Sequence, residues 1–227
     1  QTFLKLLLQL IMHTNLSSQF VSCLEVHPLL MGPNMIKRDH ALQALSKFVN
    51  EDDLVVAVYQ TCFDWLALHP RDLNYVSVGA MGQASSHALG LAIGSPDRQV
   101  IVLDGDGSLL MNLGSLVTIG ETHPGKFLHL VFENGVYEVN GNHPIPGQGT
   151  VNFAGLAKSA GYFSTYLFDE LVDFKSCLPS LFNSDGPVMG VIKVVPGEKY
   201  PADYEFIHSR AARRKFRSAL KENRITT

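Results

Sequence analysis

The sequence predicts an α/β protein with a doubly wound, mainly parallel sheet and helices on both faces. From Met35 onward, helical and strand patterns alternate along the chain, which is typical of β–α–β units and therefore of a parallel sheet. The predicted strands are short, continuous apolar runs rich in β-branched residues, as expected where both faces of a sheet are covered. With 46% hydrophobic and 17% charged residues among 227, the composition supports one sizeable folded domain.

The predicted elements follow one another in a regular order. The strands comprise residues 54–59, 74–78, 99–103, 127–132, 162–168 and 188–195. The helices comprise residues 36–49, 62–68, 81–93 and 170–182, a segment that ends at Gly120, and a segment between an Asn152 cap and Gly161. The helix at 81–93 is small and apolar almost all round, so we expect it to be deeply buried, with Gly90 and Gly94 allowing close packing.

The two ends of the chain differ from this alternating region. We assign residues 1–34 to an N-terminal extension, 35–195 to one domain and 196–227 to a C-terminal helical tail. The apolar run 3–12 is too short to span a bilayer, and no signal-peptidase motif follows it. Three interpretations of the extension stay open: a fragment edge, an upstream translation or a partner-docking segment. The basic run 210–217 is expected to be a solvated helix face.

Charge and cysteine content disfavour several classes of function. The net charge is −3, so the chain as a whole has no field that favours nucleic acid. Cys23, Cys62 and Cys177 are widely spaced and form no C-x-x-C pair, which argues against zinc ligation, iron–sulfur ligation and a disulfide scaffold. We therefore expect a cytoplasmic protein that binds neither nucleic acid nor a membrane.

The segment Gly105-Asp106-Gly107-Ser108 follows the strongest predicted strand and opens a helix. Glycines let the backbone approach a ligand closely, and a helix N-terminus offers unpaired N–H groups to an anion. A bare carboxylate at Asp106 would repel a phosphate, and a hard cation such as Mg²⁺ between them resolves the conflict. Asn134 follows the next strand, and parallel strands end at one edge of a sheet. The alternative is a metal-free turn.

This pattern resembles the signature of thiamine-diphosphate-dependent enzymes, which begins with Gly-Asp-Gly and ends near a paired Asn. The resemblance implies that thiamine diphosphate binds through Mg²⁺, and that Asp106, Asn134 and the carbonyl of Val136 are the metal ligands. Glu133 stands where the family has the first Asn of the pair. The remaining cofactor contacts implied by this segment are Gly105, Gly107, Ser108 and Tyr137.

Two further segments are similar to the same family. Residues 78–86 resemble the segment around the aminopyrimidine ring, which implies that Met81 props the bent cofactor and that the carbonyl of Gly79 accepts from its 4′-amino group. Considered alone, Met81 would be interpreted as a core methionine. Thr61 follows the first strand, where relatives contact the diphosphate, and Gln60 replaces their usual Gly.

The resemblance covers roughly residues 35–195 and is closest to sulfopyruvate decarboxylase β-type chains and phosphonopyruvate decarboxylases, through 79–86 and 104–114. It implies non-oxidative decarboxylation of a small 2-oxo acid through a C2 ylide. In the loop 140–144, His143 stands where relatives carry Gln, and it is the candidate catalytic side chain. His123 and His129 are interpreted as a surface residue and a packed core residue.

One part of the family's machinery is missing from this chain. Full-length relatives have a separate pyrimidine-binding domain that supplies an activating glutamate, and neither Glu25 nor Glu51 lies in a matching context. We therefore expect a partner subunit to supply it, with a homodimer of this chain inside a hetero-oligomer. The alternatives are an acetolactate-synthase-like carboligase subunit and a cofactor-binding chain without catalysis. A 2-oxo acid:ferredoxin oxidoreductase β chain is disfavoured by the cysteine spacing, and a dinucleotide-binding enzyme by the absence of G-x-G-x-x-G after the first strand.

Overall fold

The computed structural model describes residues 35–76 and 78–222, in which helices and strands alternate. The strands are β1 (Ile36–Lys37), β2 (Leu54–Ala57), β3 (Asn74–Tyr75), β4 (Val100–Gly105), β5 (Phe127–Glu133), β6 (Val136–Tyr137), β7 (His143–Pro144), β8 (Ser164–Phe168) and β9 (Val188–Val195). The helices are α1 (Arg38–Ser46), α2 (Tyr59–Leu68), α3 (Ala84–Gly94), α4 (Asp106–Leu110), α5 (Gly114–Thr122), α6 (Phe153–Ser159), α7 (Leu171–Asn183), α8 (Tyr204–His208) and α9 (Arg210–Glu222).

Seven strands form one parallel sheet, which confirms the predicted fold class. The strand order is β1-β9-β5-β4-β2-β3, and β8 also pairs with β9. Every pair in this sheet is parallel. The strands β6 and β7 form a separate antiparallel hairpin in the loop after β5. The carboxyl ends of β2, β4 and β5 therefore meet at one edge of the sheet, above its centre.

Two apolar cores lie on opposite faces of this sheet. Along β4, Ile101 and Leu103 belong to the core beneath α1, α2 and α7, whereas Val100 and Val102 belong to the core beneath α3, α5 and α6. All four of these side chains are fully buried. Burial on both faces explains why the strands are continuous apolar runs and not alternating ones.

The expectation that α3 is buried on all sides was wrong. Ile93 is 62% exposed, and Gly90 is exposed with no atom within 4 Å of the position that a Cβ would take. The same space is open at Gly94. A helix with small apolar residues on every side can still be packed against the rest of the protein on one side only. The close approach occurs instead at Gly120 of α5, where a Cβ would collide with the carbonyl of Ala160.

Other boundaries shifted for local reasons. The helix predicted to end at Gly120 is divided into α4 and α5. Between them, the Asn112 side chain donates to the Gly82 carbonyl in the loop before α3, at 2.9 Å. The predicted Asn152 cap is confirmed: its side chain accepts from the N–H of Gly155 at 2.8 Å.

In α9, Phe216 packs on the Tyr75 ring with centroids 5.1 Å apart, while the basic side chains are exposed. Within the described part of the chain, no helix is both long and apolar enough to cross a membrane.

Candidate cofactor and metal site

A cleft lies at the edge where β2, β4 and β5 end. Gly105 and Phe132 pair in register in β4 and β5, so the segments that follow these strands leave the sheet side by side. The cleft is lined by the loops after β2, β4 and β5 together with Arg38 and Met81. Every cofactor-binding and metal-binding residue predicted from the sequence lines this cleft, except Gly79.

Asp106 brings a buried carboxylate to the start of α4. Its side chain is 2% exposed. The Oδ1 atom accepts from the N–H of Gly107 and the Oδ2 atom from the N–H of Gly135, both at 2.7 Å. Burial raises the pKa of Asp106, and these backbone N–H groups lower it in part. A divalent cation beside this carboxylate would offset the cost of its burial, so the residue suits a metal ligand.

Asn134 and Val136 offer two further oxygen atoms beside this carboxylate. The Oδ1 atom of Asn134 accepts from the N–H of Val136 at 3.0 Å, which leaves its second lone pair free. Val136 faces Pro144 in the hairpin. Because the N–H of Ile145 donates to the carbonyl of Gly135, this is a non-hydrogen-bonded pair, and the Val136 carbonyl points away from β7. The donor set is thus one carboxylate, one amide oxygen and one backbone carbonyl, which fits Mg²⁺ completed by phosphate oxygens. Among the described residues, no three His, Cys, Asp or Glu side chains cluster as a metal site.

Close packing at Gly107 shapes the floor of the cleft. A Cβ at Gly107 would lie 2.7 Å from two carbon atoms of the Tyr137 ring. Ser108 is buried, and its Oγ accepts from the N–H of Gly82 at 3.0 Å, which ties α4 to the loop that carries Met81. Met81 is partly exposed and lines the cleft. Its position therefore differs from that of a core methionine.

The turn from β2 into α2 forms another wall. Thr61 is 4% exposed and lies in the first turn of α2. Tyr59 has a φ of 47°, in the left-handed region that favours glycine. The strained residue is thus Tyr59 and not Gln60, where relatives have Gly. Strain of this kind is found at ligand-binding turns more often than elsewhere.

Two predicted residues lie outside the cleft. Gly79 is exposed with a φ of 87°, and Ser77, two residues before it, is outside the described residues. His143 is exposed on β7, directly opposite Tyr137 in the hairpin. The roles of Gly79 and His143 stay predictions.

The sequence did not predict a network of charged side chains beside Asn134. Arg38 is 3% exposed and contacts Asp64 and Glu138 at 2.6 Å each. Burial raises the pKa of Asp64, and the charge of Arg38 lowers it in part. These residues are distant in sequence and belong to no motif. Only the pairing of β1 with the end of β9 brings Arg38 to this edge, and a two-residue strand gives no detectable pattern.

A second polar cluster lies beneath the Gly-Asp-Gly turn. His129 is fully buried, as predicted for a core residue. Its Nδ1 atom lies 3.1 Å from the Tyr162 hydroxyl, and its Nε2 atom lies 3.5 Å from Asp104 Oδ2. Burial raises the pKa of Tyr162 well above its ordinary value, and Asp104 raises it further. This cluster links β4, β5 and the segment before β8.

The residues that build the cleft match a known family. Residues 59–192 match the model of a family described as thiamine pyrophosphate enzyme, C-terminal TPP binding domain. The match covers more than half of the chain and includes the loops after β2, β4 and β5. The chain therefore belongs to this family, and the resemblance inferred from the Gly-Asp-Gly segment is confirmed.

Two of the proteins that resemble this chain are named as decarboxylases. The chain is 36% identical to phosphonopyruvate decarboxylase of Streptomyces viridochromogenes, over 69% of this chain and 39% of that protein. It is 32% identical to sulfopyruvate decarboxylase subunit beta of Methanocaldococcus jannaschii, over 70% of this chain and 85% of that protein. The X-ray structure of a proposed thiamin diphosphate-dependent enzyme from Mycobacterium smegmatis matches with a TM-score of 0.58 at 22% identity, over 71% of this chain and 32% of that one, and supports the fold.

Proposed function

We propose that this chain is the thiamine diphosphate- and Mg²⁺-binding subunit of a 2-oxo acid decarboxylase. The observation that carries the proposal is the buried carboxylate of Asp106 at a helix N-terminus. Beside it lie the amide oxygen of Asn134 and a Val136 carbonyl that points away from its hairpin partner. A cation and a diphosphate together supply what this arrangement lacks.

The predicted site residues divide into three groups by what they would hold. Asp106, Asn134 and the Val136 carbonyl would hold Mg²⁺. The diphosphate would lie against the backbone and side chains at the start of α2 and α4, which comprise Thr61, Gly105, Gly107 and Ser108, with Tyr137 as a wall. Met81 and the Gly79 carbonyl would position the aminopyrimidine end. When bound, the cofactor would supply a nucleophilic C2 carbon and a thiazolium ring that accepts the electron pair released by decarboxylation.

The substrate we propose is a small 2-oxo acid of the sulfopyruvate or phosphonopyruvate kind. Support comes from the named relatives, both of which are decarboxylases of such acids. The reaction is non-oxidative: the bond between the carboxylate and the carbonyl carbon breaks, CO₂ leaves, and a proton takes its place to give an aldehyde. His143, on the hairpin beside the cleft, is the candidate proton carrier near the reacting carbon.

A partner chain completes the site in this proposal. The chain spans 85% of a decarboxylase subunit beta but only 39% of a phosphonopyruvate decarboxylase, so a separate pyrimidine-binding subunit would supply the activating glutamate. Exposed apolar side chains at Ile93, Met111 and Val117 on the α3 and α5 side support burial against another chain, including a second copy. The setting we propose is the cytoplasm.

The test is a CO₂-release assay. The chain is purified alone and together with a candidate pyrimidine-domain protein from the same organism, and each preparation receives thiamine diphosphate, Mg²⁺ and sulfopyruvate, phosphonopyruvate or pyruvate. We expect turnover only from the pair, with one CO₂ for each 2-oxo acid consumed. Robust turnover by the chain alone would refute the two-chain arrangement. One CO₂ for every two acids would instead identify a carboligase, and no turnover from the pair would leave a cofactor-binding chain without catalysis.

A further inference from the structure

The charged network beside the cleft, formed by Arg38, Asp64 and Glu138, holds its side chains in fixed positions. Arg38 Nε donates to Asp64 Oδ2 at 2.6 Å, Nη1 donates to Glu138 Oε2 at 2.6 Å, and Nη2 donates to Glu138 Oε1 at 3.2 Å. Gln60 donates to the other oxygen of Asp64 at 3.0 Å. A guanidinium that donates to two carboxylates fixes both in place, because its fork is planar and rigid.

Glu138 connects this network to Asn134. The Oε2 atom that accepts from Arg38 also accepts from Nδ2 of Asn134 at 3.1 Å. A side-chain amide has one oxygen and one NH₂ group, and only the oxygen can bind a cation. By accepting from the NH₂ group, Glu138 turns the amide oxygen to its opposite side, where it accepts from the N–H of Val136.

We propose that Glu138, held in place by Arg38, is a positioning residue that keeps the Oδ1 atom of Asn134 facing the divalent cation. The inference rests on the proposed function, since Asn134 is a ligand only if a cation binds beside Asp106. A half-turn of the amide would direct its NH₂ group at the cation. Stability alone explains the network poorly, because a buried ion pair seldom stabilises a fold more than apolar side chains of the same size would.

The arrangement explains why a buried arginine lies at this edge. Asp64 is fully buried and Glu138 is partly buried. Two carboxylates close together would repel each other, and Arg38 between them removes that repulsion. The two hydrogen bonds from Arg38 hold Glu138 in line with the Asn134 amide, so its carboxylate remains the acceptor for the amide NH₂ group. Outer residues that orient metal ligands in this way commonly contribute about 10- to 100-fold to metal affinity.

The experiment measures retention of Mn²⁺ by the full chain during ultrafiltration with excess thiamine diphosphate. Asp106→Asn should abolish retention. Glu138→Ala should weaken retention at least about tenfold, and Glu138→Gln, which keeps one acceptor oxygen, should lie between Glu138→Ala and the wild type. Glu133→Gln removes a nearby carboxyl that does not contact the Asn134 amide, and it sets the size of a pure charge effect.

A second set of variants, made in the Asn134→Asp protein, distinguishes orientation of the Asn134 amide from a purely structural effect of Glu138. In Asn134→Asp, a carboxylate presents an oxygen atom on either side and needs no orientation. Glu138→Ala in this background should cause no further loss, and should tighten binding because it removes a repulsive charge. An equal loss in both backgrounds, or no loss beyond that of Glu133→Gln, would overturn the positioning role. Retention of Mn²⁺ by Asp106→Asn would instead overturn the proposed function itself.

Discussion

Asp106 shows how one residue determines the chemistry of its surroundings. Its carboxylate is 2% exposed and its contacts are backbone N–H groups. Such a placement is costly, because burial disfavours the charged form and raises the pKa of the group. A cation would remove the cost, and Asn134 lies beside it with its amide oxygen oriented by two hydrogen bonds. This placement supports the proposal that Asp106 is a metal ligand.

The buried thiol of Cys62 should make the free energy of unfolding decrease at alkaline pH. Burial, together with the nearby charge of Asp64, raises the pKa of this thiol from 9.0 to about 12. Above pH 9 the unfolded chain loses the proton while the folded chain keeps it, so this contribution to stability is present below pH 9 and is lost as the pH rises toward 12. Urea unfolding across this range should show a decline from this residue of up to about 1.4 kcal/mol per pH unit.

The control for this prediction is a pair of alanine variants. Cys62→Ala should decline less steeply with pH than the wild type. Cys177→Ala should have a smaller effect, because Cys177 is only partly buried. Identical slopes for the wild type and Cys62→Ala would show that the thiol at position 62 ionises freely in the folded protein.

Tyr162 supplies a second residue-scale prediction. Tyr162→Phe removes the hydroxyl beside His129 Nδ1 and leaves a buried ring nitrogen without its partner. The free energy of unfolding should fall by about 1–3 kcal/mol. Tyr166→Phe, on β8 and outside this cluster, should stay within about 0.5 kcal/mol of the wild type. Equal denaturation midpoints for both variants would contradict a stabilising role for the His129–Tyr162 contact.

The sequence predicted the proposed ligand residues better than the residues that contact them. Asp106 and Asn134 are recognisable because each follows an apolar strand with a polar side chain. Arg38 and Glu138 have no such signal, since an arginine at a helix start and a glutamate in a polar loop are both common on protein surfaces. Their contact depends on tertiary structure, which brings positions 100 residues apart to 2.6 Å.

At the scale of elements, the packing of α5 against the turn after α6 sets a strict limit on side-chain size. Gly120→Ala would place a Cβ against the Ala160 carbonyl. Backbone cannot yield as a flexible side chain can, so the free energy of unfolding should fall by about 1–3 kcal/mol or more. Thermal unfolding measured by circular dichroism would detect this change.

Gly90→Ala is the matched control, because it makes the same change in a helix where space is open. We expect a gain of about 0.5–1 kcal/mol, since alanine loses less conformational entropy in a helix. A stability for Gly120→Ala equal to that of Gly90→Ala would show that α5 can move away from the turn, and that the close approach is not a constraint.

The elements that could be predicted from the sequence are those long enough to show a recognisable run or repeat of apolar residues. The eight-residue strand β9 occupies the predicted residues 188–195. The strand β1 and the hairpin of β6 and β7 have two residues in each strand, too few to show alternation. The break between α4 and α5 is also invisible in sequence, because the Asn112 bond that accompanies it is made to a distant loop.

At the scale of the whole molecule, the fold places three loops from different parts of the chain around one cleft. The strand order reverses between β2 and β4: the chain leaves β2 for β3 on one side, and it leaves β4 for β5 on the other. Such reversal points are where α/β sheets bind their ligands. The fold class and the location of the cleft can therefore be predicted from the alternation of helices and strands. The proposed substrate and partner cannot, because this alternation is independent of what the cleft binds.

The central claim is that this chain binds thiamine diphosphate through a divalent cation held by Asp106. The direct measurement is calorimetric titration of thiamine diphosphate into the full chain with Mg²⁺, with a chelator in place of Mg²⁺, and with Asp106→Asn in Mg²⁺. We predict binding by the wild type in Mg²⁺, and affinity at least about 100-fold lower in both other cases, because a direct ligand contributes no less than the residues that orient it. Equal affinity with and without Mg²⁺, or undiminished binding by Asp106→Asn, would contradict the account.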